Sequence, residues 1–156
     1  MEQLKLHGIS WKAYTVFLIV AMVPTTINII NPLARYVDTP FEVYTGESWS
    51  KLVTEQPEYA ALYEMFCRSI ANGVLTAILL GLIITLTAYR RGEKWAWLAL
   101  VAGLAVYNVI EIVIGYITAG ATGALEYVLW LCVGLVILLI PAKDFLSQKA
   151  ETVTAS

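Results

Sequence analysis

Glu64, Arg68 and Asn72 follow one another at intervals of four residues, and Asn108 and Glu111 stand three apart, all within otherwise apolar stretches. Intervals of three and four put side chains on one face of a helix, so each set forms a polar stripe. An acid or a guanidinium inside hydrocarbon is costly unless it meets a partner, and the planar fork of arginine meets a carboxylate through two hydrogen bonds. The spacing predicts an Arg68–Glu111 ion pair flanked by Asn72, Asn108 and Asn28, with Glu64 one turn from Arg68. Such a cluster could fix helix register, recognise a small polar or amphiphilic ligand, or transfer a proton through Glu111. Companions for catalysis are missing from the sequence: it has no GxSxG, HExxH, CxxC or P-loop pattern. The single histidine, His7, sits near the N-terminus, and Cys67 and Cys132 are far apart in apolar segments, so no catalytic residue, metal ion or cofactor is expected.

These stripes must be carried by membrane helices. Of the 156 residues 59% are hydrophobic and 14% are charged. Soluble domains carry about 25% charge, so this chain needs lipid as its solvent. A spanning helix takes roughly 20 mostly apolar residues. Four stretches qualify, at about 12–33, 61–89, 95–118 and 125–140, and they predict an all-α bundle of four transmembrane helices in one domain covering 1–156. An outer loop over 34–60 and a tail over 141–156 complete the chain. The first stretch is too long for a signal-peptide core and has no small-x-small cleavage site after it, so it reads as an uncleaved span.

Lysines and arginines orient the bundle. Lys5 and Lys12 precede the first span, Arg90, Arg91 and Lys94 join the second to the third, and Lys143 and Lys149 follow the fourth. The expectation is a multi-pass protein of a prokaryotic cell membrane with both termini cytoplasmic. In the acidic outer loop, Ser48–Gln56 reads as a short amphipathic helix with Trp49, Leu52 and Val53 on one face, and Pro57 suits the first turn of the next helix. Gly73, Ala77 and Gly81, and Ala99 and Gly103, are small-residue stripes that allow close helix approach within the chain or between copies. Pro24 interrupts the first span, with Thr25 and Thr26 beside it. Arg68 and Glu111 each fall about 10 Å inside the outer ends of their helices at about 1.5 Å per residue. The inner half reads as nearly pure hydrocarbon, which disfavours a transport path through one copy.

The stretch Ala88-Tyr-Arg-Arg-Gly-Glu-Lys-Trp-Ala-Trp97 resembles the turn between the second and third helices of small four-helix DoxX-like membrane protein families of bacteria and archaea. The resemblance covers the second and third helices. It implies four spans and carries no assigned activity. Together these readings point to a non-catalytic accessory or scaffold subunit of a membrane assembly or homo-oligomer. A binder or carrier of a small amphiphile or lipid, using Arg68, Asn72, Asn108, Glu111, Asn28 and Glu64, is the alternative, and an intramembrane acid/base enzyme using Glu111 is the third reading. The net charge of −2 leaves no basic surface for nucleic acid.

Overall fold

The computed structural model describes residues 2–31, 41–42 and 45–147, which leaves part of the expected outer loop and the end of the tail outside the described residues. Among the described residues all regular structure is helical. Helix α1 is Glu2–Ile30, α2 is Trp49–Glu55, α3 is Pro57–Ile84, α4 is Lys94–Leu139 and α5 is Ala142–Ser147. Four segments are long and apolar enough to cross a membrane: Leu6–Ile30, Pro57–Tyr89, Lys94–Ile117 and Gly120–Leu139. Only 11–28% of each span's apolar window is buried inside the bundle, so most of its apolar surface requires lipid. We call the end bearing the Arg90–Glu93 turn basal and the opposite end apical.

Helix α4 holds two of the spans. Gly120 has φ +64°, the left-handed conformation that glycine adopts without steric cost. The chain reverses there. A Cβ built on Gly115 would lie 2.5 Å from the carbonyl oxygen of Gly123, and one on Gly134 would lie 2.6 Å from Leu104. Residues eight apart on a straight helix are separated by about 12 Å, so these contacts exist only if the two limbs run side by side. Gly115 and Gly134 are the close-approach glycines of the hairpin. Gly73 and Gly103, from the stripes expected to pack, have open space where a Cβ would go.

At the basal end, α3 runs into a π turn, Thr85–Tyr89, closed by the Arg90 N–H donating to the Thr85 carbonyl at 3.0 Å. Thr85, Ala88 and Tyr89 all turn inward. They meet Tyr14, Leu100, Leu138 and Phe145 in the main hydrophobic core. Helix α1 starts ten residues earlier than the predicted span because His7, Ser10 and Tyr14 share one face that packs on this core. The Ser10 hydroxyl donates to the Ile137 carbonyl at 2.7 Å. Its single proton is used there, so the Tyr89 hydroxyl, 2.6 Å away, is the donor in their mutual bond. The Trp97 indole N–H donates to the Leu138 carbonyl at 2.8 Å, and its ring stacks on Phe145 at 5.4 Å. The inner half is therefore not pure hydrocarbon: a buried knot of hydrogen bonds joins α1, the π turn and both limbs of α4. Phe145, 1% exposed, draws the start of the expected tail into this plug as α5.

The apical end is built differently. Ser48 caps α2, its hydroxyl accepting the Lys51 N–H. Trp49 packs edge-on to Phe41 at 5.4 Å and lies 5.6 Å from Tyr63 of α3. Leu52 joins this small cluster, whereas Val53 stays exposed. Pro57 occupies the first turn of α3, which begins four residues before the predicted span. A hydrogen bond from Lys51 to the Glu47 carboxylate, with the attraction between their charges, holds the lysine above its ordinary pKa.

Candidate functional site

Helix α1 packs along much of α3, but α3 meets the α4 hairpin chiefly at the basal π turn. Towards the apical end they part and leave a cavity of about 370 Å³. Tyr14, Phe17 and Leu100, all buried in the basal core, form its floor. Ala77 and Gly81 of α3 face Ala99 and Gly103 of α4 across it, so the small-residue stripes create space rather than contact. Gly81 keeps one contact, its Cβ position lying 3.5 Å from Leu18 of α1. Leu80 and Tyr107 line the cavity and are also 55% and 39% exposed, which puts its mouth on the lipid-facing side of the bundle.

The polar lining gathers on residues nearer the apical end: Thr25 and Asn28 of α1, Asn108 of the first α4 limb, and Glu126 and Tyr127 of the second. Asn28 and Asn108 are each 3% exposed. Asn108 donates through Nδ2 to the Leu104 carbonyl at 2.9 Å. The Thr25 hydroxyl donates to the Ala21 carbonyl at 2.9 Å, beside the gap that Pro24 leaves in the hydrogen-bond ladder. Glu126 accepts the Trp130 indole N–H at 3.2 Å. Such a carboxylate inside a span belongs at a cavity or a bundle interior, and Glu126 is at one.

The six residues expected to form a single cluster divide. Asn28 and Asn108 line the cavity, whereas Arg68, Asn72, Glu111 and Glu64 are not among its lining residues. Arg68 does not reach Glu111. It donates to the carbonyls of Ile29 at 2.6 Å and Ile30 at 3.3 Å, and pairs with Glu64 at 3.7 Å. The last carbonyls of any helix lack intrahelical donors and carry partial negative charge, so Arg68 caps α1 from the neighbouring helix. Asn72 is exposed on α3, one residue past Ala71, which does line the cavity. Glu111 continues the Leu104–Asn108 face one turn nearer the hairpin tip and sits half-buried beyond the cavity.

Sequence spacing missed Glu126 as a site residue. Its signal was partial: Glu126 stands at the start of the predicted span 125–140, with tryptophan four residues on, and the structure puts it inside by starting that span at Gly120. Among the described residues no three His, Cys, Asp or Glu side chains converge as a metal site would require. Helix α2 supplies none of the described lining residues. Comparison with protein-family models, curated proteins and solved structures finds no match to this chain.

Proposed function

We propose that this protein binds a small amphiphile inside the membrane, taking it up from the lipid through the gap between α3 and the first limb of α4. One observation carries the reading: the cavity is apolar along most of its length, and its amides and carboxylate gather among its more apical residues. An amphiphile has that same division. Sites for small molecules are mostly apolar with a few placed polar groups, and about 370 Å³ falls in their usual range. The basal core closes the other end, which supports binding rather than passage through a single copy. With Arg90, Arg91 and Lys94 at the basal turn, the basal end is cytoplasmic, both termini lie inside the cell, and the polar end faces outward. A DoxX-like kinship fits four spans without catalytic groups.

Gentle extraction followed by native mass spectrometry tests this reading. The wild type should retain a small molecule or lipid, and Gly103→Trp should not. A Cβ at position 103 meets no neighbour within 4 Å and Gly103 lines the cavity, so the substitution directs the indole into the cavity. Equal retention by both proteins would refute the cavity as the site. Emergence with other subunits and no small molecule would favour the accessory-subunit reading instead.

A further inference from the structure

We infer that the amphiphile carries an uncharged head with a free hydroxyl group, as a long-chain or polycyclic alcohol does, seated against Asn108. This deepens the proposed function and rests on it. Asn108 is 3% exposed and lines the cavity from the first limb of α4. Its Nδ2 donates to the Leu104 carbonyl, and because a carbonyl only accepts, that bond fixes which end of the amide is nitrogen. The amide oxygen and the second N–H remain, and neither meets a hydrogen-bond partner among the described residues. Thr25, 8% exposed, lines the cavity from α1. Its hydroxyl proton is used on the Ala21 carbonyl, which leaves the oxygen as an acceptor. Bonds left unmade in an apolar space are costly, and a hydroxyl answers an amide by donating one bond and accepting another. Depth selects against an ion. By helical rise Asn108 lies about 18 Å below the hairpin tip, well inside a hydrocarbon layer about 30 Å thick. An ionic head would lose its hydration there, and an amide and a hydroxyl carry no charge to offset the loss. An anion finds no lysine, arginine or histidine among the described lining residues. Glu126 lies at least one turn nearer the tip on the other limb, so a cation drawn to it would leave Asn108 unanswered.

Four probes of similar chain length and different heads test the inference: decanol, methyl nonyl ether, decanoate and decyltrimethylammonium. Each is titrated calorimetrically into full-length protein in phosphatidylcholine nanodiscs, with empty nanodiscs subtracted to remove partitioning. The ether has the atoms of the alcohol but no proton to donate. The alcohol should bind at least about fivefold more tightly than the ether, the scale of one hydrogen bond, and more tightly than either ion. Asn108→Leu should bring the alcohol to parity with the ether while leaving the ether unchanged, which separates loss of the amide from loss of the fold. Thr25→Val keeps the shape of its side chain and should narrow the preference without abolishing it. Equal binding of alcohol and ether, an ion that binds more tightly than the alcohol, or an alcohol preference that survives Asn108→Leu would overturn the inference while leaving the cavity as a binding site. Failure of all four to bind the wild type better than Gly103→Trp would overturn the proposed function as well.

Discussion

The hairpin reading of α4 can be tested at one atom. A Cβ on Gly115 would sit 2.5 Å from the Gly123 carbonyl oxygen, 2.8 Å from its carbon and 3.2 Å from the Ala124 nitrogen. These are backbone atoms and cannot rotate aside. Gly115→Ala must therefore push the limbs apart, and inserting volume into a packed interface costs about 1–3 kcal/mol. The same change also relieves the helix of a glycine, a gain of up to about 1 kcal/mol. Gly103→Ala supplies the control, because it makes the same gain on the same helix with nothing within 4 Å of the new methyl group. The propensity gain cancels between the two, so Gly115→Ala should be less stable than Gly103→Ala by about 1–3 kcal/mol. Gly134→Ala should fall between them, since its neighbours are the side-chain ends of Leu104 and Phe17. Reversible unfolding in mixed micelles with increasing SDS, followed by far-ultraviolet circular dichroism, measures all three. Stabilities of Gly115→Ala and Gly103→Ala within about 0.5 kcal/mol would show that the limbs do not touch at Gly115, and the reversal at Gly120 would have to be abandoned.

Three further outcomes follow from the contacts. Arg68→Met should destabilise the bundle by about 1 kcal/mol by uncapping the last carbonyls of α1, while Glu64→Gln should cost under about 0.5 kcal/mol, because the Arg68–Glu64 pair is half-exposed at 3.7 Å. A larger loss for Glu64→Gln in the same SDS titration would make the ion pair, not the cap, the purpose of Arg68. Ser10→Ala leaves the buried Tyr89 hydroxyl without its acceptor and should cost about 1–3 kcal/mol, with Tyr89→Phe added on top recovering part of it in a double-mutant cycle. Additive losses would argue against the shared bond. At the basal turn, the Trp95 indole N–H and then the Arg91 guanidinium hold the Glu93 carboxyl below its ordinary pKa. A lowered folded-state pKa contributes stability that is present above the ordinary carboxylate value and lost as pH falls through the folded one. Glu93→Gln should therefore flatten the acid limb of a stability-versus-pH curve, and a curve that coincides with the wild type would remove that role.

The four spans were legible because apolar length depends on the chain alone. What the sequence hid was how the spans rotate and where they meet. His7, Ser10 and Tyr14 have helical spacing, but their polarity reads as a tail until Tyr89 and Phe145 are known to lie beside them. The end of α1 sets what Arg68 can reach: Asn31-Pro32 marks that end in the sequence, but only the packing of α1 on α3 brings its last carbonyls to Arg68. Glu111 and Glu126 both lie near the hairpin tip in apolar surroundings, so depth could not choose between them. Rotation of the limbs chose, and it is set by contacts of Gly115 with Gly123 and of Gly134 with Leu104 and Phe17, residues distant in the chain. The stripes of small residues were visible, but small side chains are equally compatible with close approach and with empty space. In this fold Gly103 has the space and Gly115 the approach.

An opening between membrane helices is not by itself a binding site. In water an apolar void goes unfilled, and its lining loses contacts outright. In a bilayer an acyl chain can enter a side-opening gap and restore them, so a cleft between α3 and α4 could persist with no function at all. Polar groups change that argument. Asn28, Asn108 and Glu126 give the cavity a polar end that an acyl chain does not match. The bundle also spends its tightest packing elsewhere: the aromatic stacks and buried hydrogen bonds of the basal plug hold α1, α3 and α4 together. That anchoring lets the apical halves stand apart without loosening the fold. An apolar space with a carboxylate at one end, maintained by a rigid base, is what a ligand carrying its own head group would stabilise. Occupancy should therefore raise the unfolding midpoint of the wild type and leave that of Gly103→Trp unmoved.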